Sequence, residues 1–298
     1  MLTVVIPTRN RHKELVALLE YLKSQVIINE IIIVDSSDEK KFKTGDSDNK
    51  IKYIYTEIKS AAIQRNIGIS TINEKCDYVA FLDDDVLPPQ NYFSKLIDSI
   101  KITNAIGVSG IAVNKKKEIS IKQNYLTNFI RNFFMLDSSK KGVVLKSGVN
   151  TSIDSSASNK ELVRTEWLIG CAIWDYQRVK NFRFNEKFYG QSLGEDVLFS
   201  MRANQYGQLY VNTKVILNHY ESIIGRPNQF IFYRMWVNNR FYIVKELVNT
   251  RTSMYFHWCN FGKILILLVR SFKAPKNSVL SLAGIFKGYL DLLGQNAN

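Results

Sequence analysis

The chain has 298 residues, 46% hydrophobic and 22% charged, which excludes a disordered chain and provides for one large domain or a domain with an appendage. Three cysteines far apart in sequence, Cys76, Cys171 and Cys259, exclude a disulfide framework and a cysteine-ligated zinc site, and fit a reducing cytoplasm. The net charge of +13 is uneven, with ten Lys/Arg against three Asp/Glu from Tyr220 onward; it suits phosphorylated substrates or anionic lipid, and the lack of zinc-finger spacing, RNA-binding aromatics or repeats argues against nucleic acid.

In chain order, the opening MLTVVIPTRNRHKEL has too short an apolar run for a signal peptide and reads as structural. Leu2–Pro7, Glu30–Asp35, Ile51–Thr56 and Asp77–Asp83 are short apolar or β-branched runs of the kind that form buried strands. Helical patterns separate them: Asn10–Ser24, with Asn10 as N-cap and Leu15, Leu18, Leu19 and Leu22 on one face; Ser60–Asn73, capped by Ser60; and Pro89–Lys101. Asp38–Lys50 is polar and reads as a loop. This alternation predicts an open, mostly parallel sheet with helices on both faces, whose ligands bind beyond the carboxyl ends of the strands. Thr8, Asp35 and the Asp83–Asp84–Asp85 run end three of the strands, so they should share that edge.

Further on, Ile106–Val113 reads as a strand, Lys115–Lys117 as a basic turn, and Ser138–Lys160 as a mobile loop. Arg164–Leu168 reads as a strand leading to Gly170, and Gly194–Tyr206 as a helix with Gly207 as its C-cap. Leu209–Asn212 and Val215–Asn218 read as two short strands, and the chain from Asn228 is helical with a break near Ala274–Pro275.

Four features bear on chemistry. In FLDDDVLPP (81–89), three carboxylates directly after an apolar strand repel one another unless a cation or hydrogen bonds compensate. In an extended chain Asp83 and Asp85 point one way and Asp84 the other, and two oxygens on one side suit a hard divalent ion that also holds phosphates. A solvated acidic turn is the alternative. In GQSLGEDVLFSMRANQYG (190–207), Glu195 and Asp196 open a helix, as caps favoured by its dipole or with one carboxylate serving as a general base. His219 is a hydrogen-bonded structural residue or a metal ligand. Arg65, within AAIQRNIGIS, is an exposed arginine or a diphosphate ligand.

The order of VVIPTRNR (4–11), IIIVDSS (31–37), AAIQRNIGIS (61–70), FLDDDVLPP, WLIGCAI (167–173) and GEDVLFSMRANQYG (194–207) resembles the family 2 glycosyltransferases of the GT-A fold, over roughly residues 1–220. The resemblance implies an α/β GT-A domain there, with a nucleotide-sugar half to about 115 and an acceptor half from about 116, followed by a helical extension over 221–298. It implies that Pro7, Thr8, Arg9, Asp35, Arg65, Asp83 and Asp84 lie on the nucleotide side. Asp83 and Asp85 would form the family's metal-binding DXD motif for Mg2+ or Mn2+, with His219 a further ligand. Asp196 would be the base, with Trp167, Gly170, Cys171 and Glu195 on the acceptor side. The Gln-x-x-Arg-Trp pattern of processive synthases is absent; the nearest segment is FYRMWVNNRFY at 232–242. That favours addition of one or a few sugars, and the resemblance implies an inverting displacement from a nucleotide-sugar to a glycan or lipid-linked glycan.

Two rivals are a nucleotidyltransferase, which would show a Gly-rich phosphate loop where this chain has PTRNR, and a non-catalytic carbohydrate or membrane adaptor. The segment 254–273 is apolar and aromatic, but its run at Ile264–Val269 is bounded by Lys263 and Arg270, so it reads as a helix lying in an anionic membrane interface or packing on the domain or a second copy.

Overall fold

The computed structural model describes residues 1–39, 49–113, 125–154, 159–188, 190, 192–220, 222, 226–247 and 252–295. The basic turn at 115–117 lies outside the described residues, as do 40–48 of the loop read at 38–50. The chain forms two compact units: one of residues 1–119, 153–190 and 196–225, the other of 120–152, 191–195 and 226–298. Residues 120–152, read from sequence as the start of an acceptor half, thus group with the C-terminal helices.

The first unit is built on a nine-stranded sheet. Its elements in chain order are β1 (Leu2–Thr8), α1 (His12–Ser24), β2 (Ile28–Asp35), β3 (Ile51–Tyr55), α2 (Ala61–Ser70), β4 (Tyr78–Phe81), β5 (Val86–Leu87), α3 (Tyr92–Thr103) and β6 (Gly107–Val113). After α4 (Tyr125–Phe133) of the second unit come β7 (Leu162–Thr165), β8 (Ala172–Asp175), α5 (Tyr176–Val179), α6 (Glu195–Ala203) and β9 (Leu209–His219). The spatial order is β3-β2-β1-β4-β8-β6-β9-β5, with β7 beside β9. β3, β2, β1 and β4 are parallel, as a βαβ progression dictates, and β8 enters antiparallel between β4 and β6. All seven residues of β1 are buried, which is why it reads as an unbroken apolar run.

Helix α2 lies so close to β1 that a Cβ on Gly68 would stand 2.3 Å from Val5 Cγ1, so glycine sets the distance between helix and sheet. Ser60 caps α2 as expected, its hydroxyl accepting from the Ile63 N–H.

Several expectations need correction. Asn10 is not the cap of α1; it sits at φ +56°, and its side chain and backbone N–H bond Asp38 and Ser37 instead. The two short strands after residue 208 are one, β9, and the strand read at 164–168 ends at Thr165. Gly207 is not a left-handed cap; a Cβ there would displace the Arg178 guanidinium and stand 2.9 Å from Ile106 Cβ, so the glycine sits at a close approach of neighbouring side chains. Of the loop read at 138–160, residues 142–151 form a small hairpin, with Leu145 and Val149 bonded through their backbones at 2.7 Å.

The second unit contains α4, α7 (Gln229–Glu246), α8 (Thr252–Ser271) and α9 (Pro275–Gln295). Tyr233, Val237, Phe256, Leu267, Ile285 and Leu292 form its core. No helix among the described residues is long and apolar enough to cross a membrane.

Candidate active site

The sheet brings Thr8 and Asp35 level with each other at the ends of β1 and β2. Gln64 of α2 ties these strand ends together, its Nε2 donating to the carbonyls of Thr8 at 2.8 Å and Val34 at 2.6 Å. The Asp35 carboxylate accepts from the backbone N–H and hydroxyl of Ser37 and from the Tyr53 hydroxyl, the last at 2.8 Å. Pro7 is buried within β1.

Beyond β4 the chain leaves the sheet, turns through Asp84 and Asp85, and rejoins it as the two-residue strand β5. The turn separates the carboxylates. Asp84 faces β1 and accepts from Thr8 Oγ1 and Arg11 Nη1, each at 2.7 Å. Burial pushes its carboxyl up to about 6 although Arg11 and Thr8 pull the other way. Arg11 also reaches Asp85 at 3.2 Å. By contrast Arg9, the arginine favoured from sequence, points to the exposed Asp38 at 3.7 Å. The left-handed Asn10 between them turns the chain so that the second arginine, not the first, faces the acidic triplet.

β5 pairs antiparallel with the end of β9, setting Val86 opposite His219. That short pairing puts His219 Nε2 3.0 Å from Asp85 Oδ1. The other Asp85 oxygen accepts from the Ser222 N–H at 2.9 Å. Burial pushes the Asp85 carboxyl up, but the bond and charge of His219, with Arg11 and Ser222, outweigh it and hold it below the usual carboxylate range. Donor atoms of Asp83, Asp85 and His219 all lie within 4.8 Å of one another. Two carboxylates and an imidazole suit a divalent cation; around an ion with ligands at about 2.1 Å, adjacent donors are about 3 Å apart, the spacing Asp85 and His219 already hold.

Arg65 lies 3% exposed in α2, its Nη2 on Asp83 at 2.8 Å and its guanidinium 5.5 Å from the Phe184 ring centroid. It is therefore not the exposed arginine weighed from sequence; burial directs it at Asp83. Asn66 brackets Phe184, donating to its carbonyl and accepting from its N–H at 2.9 and 2.8 Å. The unusual run Gln64–Arg65–Asn66 is thus three buried polar side chains with three separate duties. A Cβ on Gly170 would come within 3.2 Å of Arg65 Nη2, so glycine leaves the Arg65–Asp83 pair uncrowded. Cys171 is buried with its Sγ 3.8 Å from Asp83 Oδ2, and burial pushes its thiol well up, so it is a packing group and no nucleophile. Trp167 is buried between β7 and β8, its carbonyl accepting from Thr165 Oγ1.

Asp196 is half-buried in the first turn of α6, accepting from the Val197 N–H at 2.8 Å. Burial pushes its carboxyl up to about 6, opposed by the charge of Arg65 and reinforced by that of Asp83. Glu195 is buried and falls in the 191–195 stretch grouped with the helical unit. Sequence reasoning passed over Arg11, Gln64 and Ser222. Arg11 and Gln64 lie inside the motifs it singled out, and only the fold distinguishes them from their neighbours.

The profile of the family described as glycosyl transferase family 2 matches residues 3–161. An uncharacterized glycosyltransferase of Haemophilus influenzae is 39% identical over 88 residues, 28% of this chain and 29% of its own length. Glycosyltransferase GlyG of Streptococcus pneumoniae serotype 4 is 31% identical over 117 residues, 37% of this chain and 38% of its own length. The matches thus span well under half of either relative. Among solved structures, S. aureus TarS 1–349 in complex with UDP-GlcNAc has a TM-score of 0.55 at 16% identity, covering 96% of this chain and 81% of that one. GalNAc-T7 with UDP, GalNAc and Mn2+ has a TM-score of 0.62 at 15% identity, covering 86% and 49%. These likenesses show a shared GT-A fold.

Proposed function

The chain belongs to glycosyl transferase family 2, and from that footing we propose that it is an inverting, metal-dependent transferase moving a sugar from a nucleotide-diphosphate donor, by default a UDP-sugar, to a hydroxyl of a glycan or lipid-linked glycan in cell-surface polysaccharide synthesis. The observation that carries this reading is the grouping of the Asp83, Asp85 and His219 donor atoms beside Arg65, at the carboxyl end of β4. TarS and GalNAc-T7, on the same fold, were solved with UDP or UDP-sugar, the latter with Mn2+, which supports the same donor class here.

Asp83, Asp85 and His219 would hold Mg2+ or Mn2+. The bound ion supplies positive charge for a diphosphate leaving group. Arg65, bonded to Asp83, fixes the orientation of that carboxylate. Thr8 and Arg11 hold Asp84 on the opposite side, so the triplet keeps two carboxylates turned toward the substrate. Asp35, level with Thr8, lies where the base and ribose would sit. Asp196 takes the proton of the acceptor hydroxyl while that oxygen bonds the anomeric carbon from the face opposite the diphosphate, which leaves with the electron pair of the broken bond. Its raised carboxyl suits a base working near neutral pH. The region around 1–220 would serve as the catalytic domain and 221–298 as an extension that attaches the enzyme to the cytoplasmic face of the plasma membrane, with a homodimer as the competing role of the helices.

A thermal-shift panel of nucleoside diphosphates with and without Mn2+, followed by release of sugar from the best-bound donor, tests the proposal. Stabilisation by one diphosphate only in the presence of Mn2+, with release of its sugar, is the expected result. No stabilisation by any nucleotide and no sugar release would overturn it.

A further inference from the structure

The helical unit carries most of the chain's charge: its residues 120–152, 191–195 and 226–298 hold fifteen Lys/Arg against four Asp/Glu, a net +11 of the chain's +13. The same unit carries an apolar surface that its own core does not use. In α4, Tyr125, Leu126, Phe129 and Phe133 fall on one helical face and are all exposed, Phe129 by 66%; no residue of this nine-residue helix is buried. So short a helix gains little stability from its own backbone and needs a surface to lie on. In α8, Met254, Trp258, Phe261, Leu265, Leu268 and Phe272 repeat at three- and four-residue steps from one end of the helix to just past the other, all exposed, Phe272 by 91%.

The two stripes join. Trp258 Nε1 donates to the Phe133 carbonyl at 2.9 Å, the two rings lie 5.3 Å apart, and Phe129 stacks on Phe133 at 6.2 Å. Trp258 continues to Phe261 at 5.9 Å along α8. The result is one aromatic and aliphatic platform from two helices distant in sequence. Arg270 and Lys273 stand exposed around Phe272 at its end.

We propose that this α4–α8 platform is the surface by which the protein lies on a bilayer containing anionic phospholipid. The proposal rests on the membrane attachment put forward above and assigns it to a specific face, of which the mid-chain helix α4 is half. Charge selects the occupant. A second copy would bring one +11 unit against another, whereas anionic headgroups complement it and the rings and aliphatic side chains enter the interfacial layer. With no helix able to cross a membrane among the described residues, attachment is in the plane of the interface.

The test is flotation of the full-length protein with vesicles of phosphatidylcholine alone or with phosphatidylglycerol added, which needs no catalysis and so is independent of the transferase reading. The wild type should float with the anionic vesicles, weakly with neutral ones, and less as salt rises. Leu126→Ser with Phe129→Ser in α4, and separately Leu265→Ser with Leu268→Ser in α8, should each lower partitioning on the order of tenfold, while circular dichroism shows unchanged helix content. An α4 variant that floats like the wild type while the α8 variant does not would overturn the two-helix platform and leave attachment through the tail alone. A wild type that floats with neither vesicle, but sediments as a dimer that the α4 and α8 substitutions dissociate, would overturn the membrane assignment and make the face a contact between copies.

Discussion

Replacing Arg11 by methionine removes the cation that bridges Asp84 and Asp85 and keeps most of its apolar stem. The arginine is 16% exposed and the Asp84 side chain 4%, so this is close to a buried ion pair. Removing one partner of such a pair costs about 3–5 kcal/mol, and the partial exposure of Arg11 points to the lower end, about 3 kcal/mol. In a chain of this size that corresponds to a fall in Tm of about 6–12 °C. The loss depends on pH in a defined direction. Burial already places Asp84 at about 6 in the fold, above its ordinary 3.8, and losing Arg11 raises it further. A carboxyl raised by folding destabilises the fold only where it is ionised, so the extra Asp84 cost in the variant is full only above its further-raised value and is gone once pH falls below about 6, where the wild-type carboxyl protonates too. The Asp85 share behaves oppositely, because that carboxyl is held below its ordinary value. It is present above about pH 4 and therefore persists at pH 5. Scanning calorimetry of wild type and Arg11→Met at pH 8 and pH 5 should show the larger gap at pH 8. Equal gaps at the two pH values, or a gap under about 1 °C at pH 8, would refute the assignment of Arg11 as counter-charge to the triplet.

Asp196→Asn should bind the nucleotide donor as the wild type does and lose transfer by at least about a hundredfold, read by single-turnover kinetics. In the wild type, kcat should fall as pH drops through about 6, where Asp196 takes up a proton. Asp85→Ala and His219→Ala should each weaken Mn2+ binding by about tenfold or more, measured by electron paramagnetic resonance, with transfer falling in parallel. Gly68→Ala should lower stability by about 1–3 kcal/mol, since its Cβ would stand 2.3 Å from Val5, and adding Val5→Ala should recover part of the loss, both read from denaturant midpoints.

In the parallel half of the sheet, β1, β2 and β4 were legible in the sequence because each carries a buried apolar run ended by a polar residue, whereas the edge strand β3, IKYIY, with no fully buried residue, was legible from its β-branched and aromatic content. The triplet at 83–85 was legible for a related reason: three acids after such a run violate the cost of burying charge, which draws attention to them. β5 was not legible. Two residues have no periodicity, and Val86–Leu87 are strand only because β9 arrives beside them. Arg9 and Arg11 are indistinguishable in a polar stretch; the positive φ of Asn10, which sends one outward and the other inward, is a tertiary outcome fixed by its bonds to Ser37 and Asp38. The grouping of 120–152 with the C-terminal helices was hidden for the same reason, since its hairpin and short helix give no long periodic signal.

The two-residue pairing of β5 with β9 also sets a schedule. Asp85 and His219 are 134 positions apart. At the usual pace of synthesis, about 5–20 residues per second, roughly 7–27 s separate the emergence of the carboxylate from that of the imidazole. Arg11 precedes Asp84 and Asp85 by 73 and 74 positions, so it has already been synthesised when they appear. The nascent chain can therefore neutralise its acidic turn early, within the parallel strands that neighbour one another in sequence. The last ligand of the candidate metal site arrives only when the far edge of the sheet closes. A chain released before residue 219 would carry both Arg11 and the triplet and lack the imidazole of the candidate site.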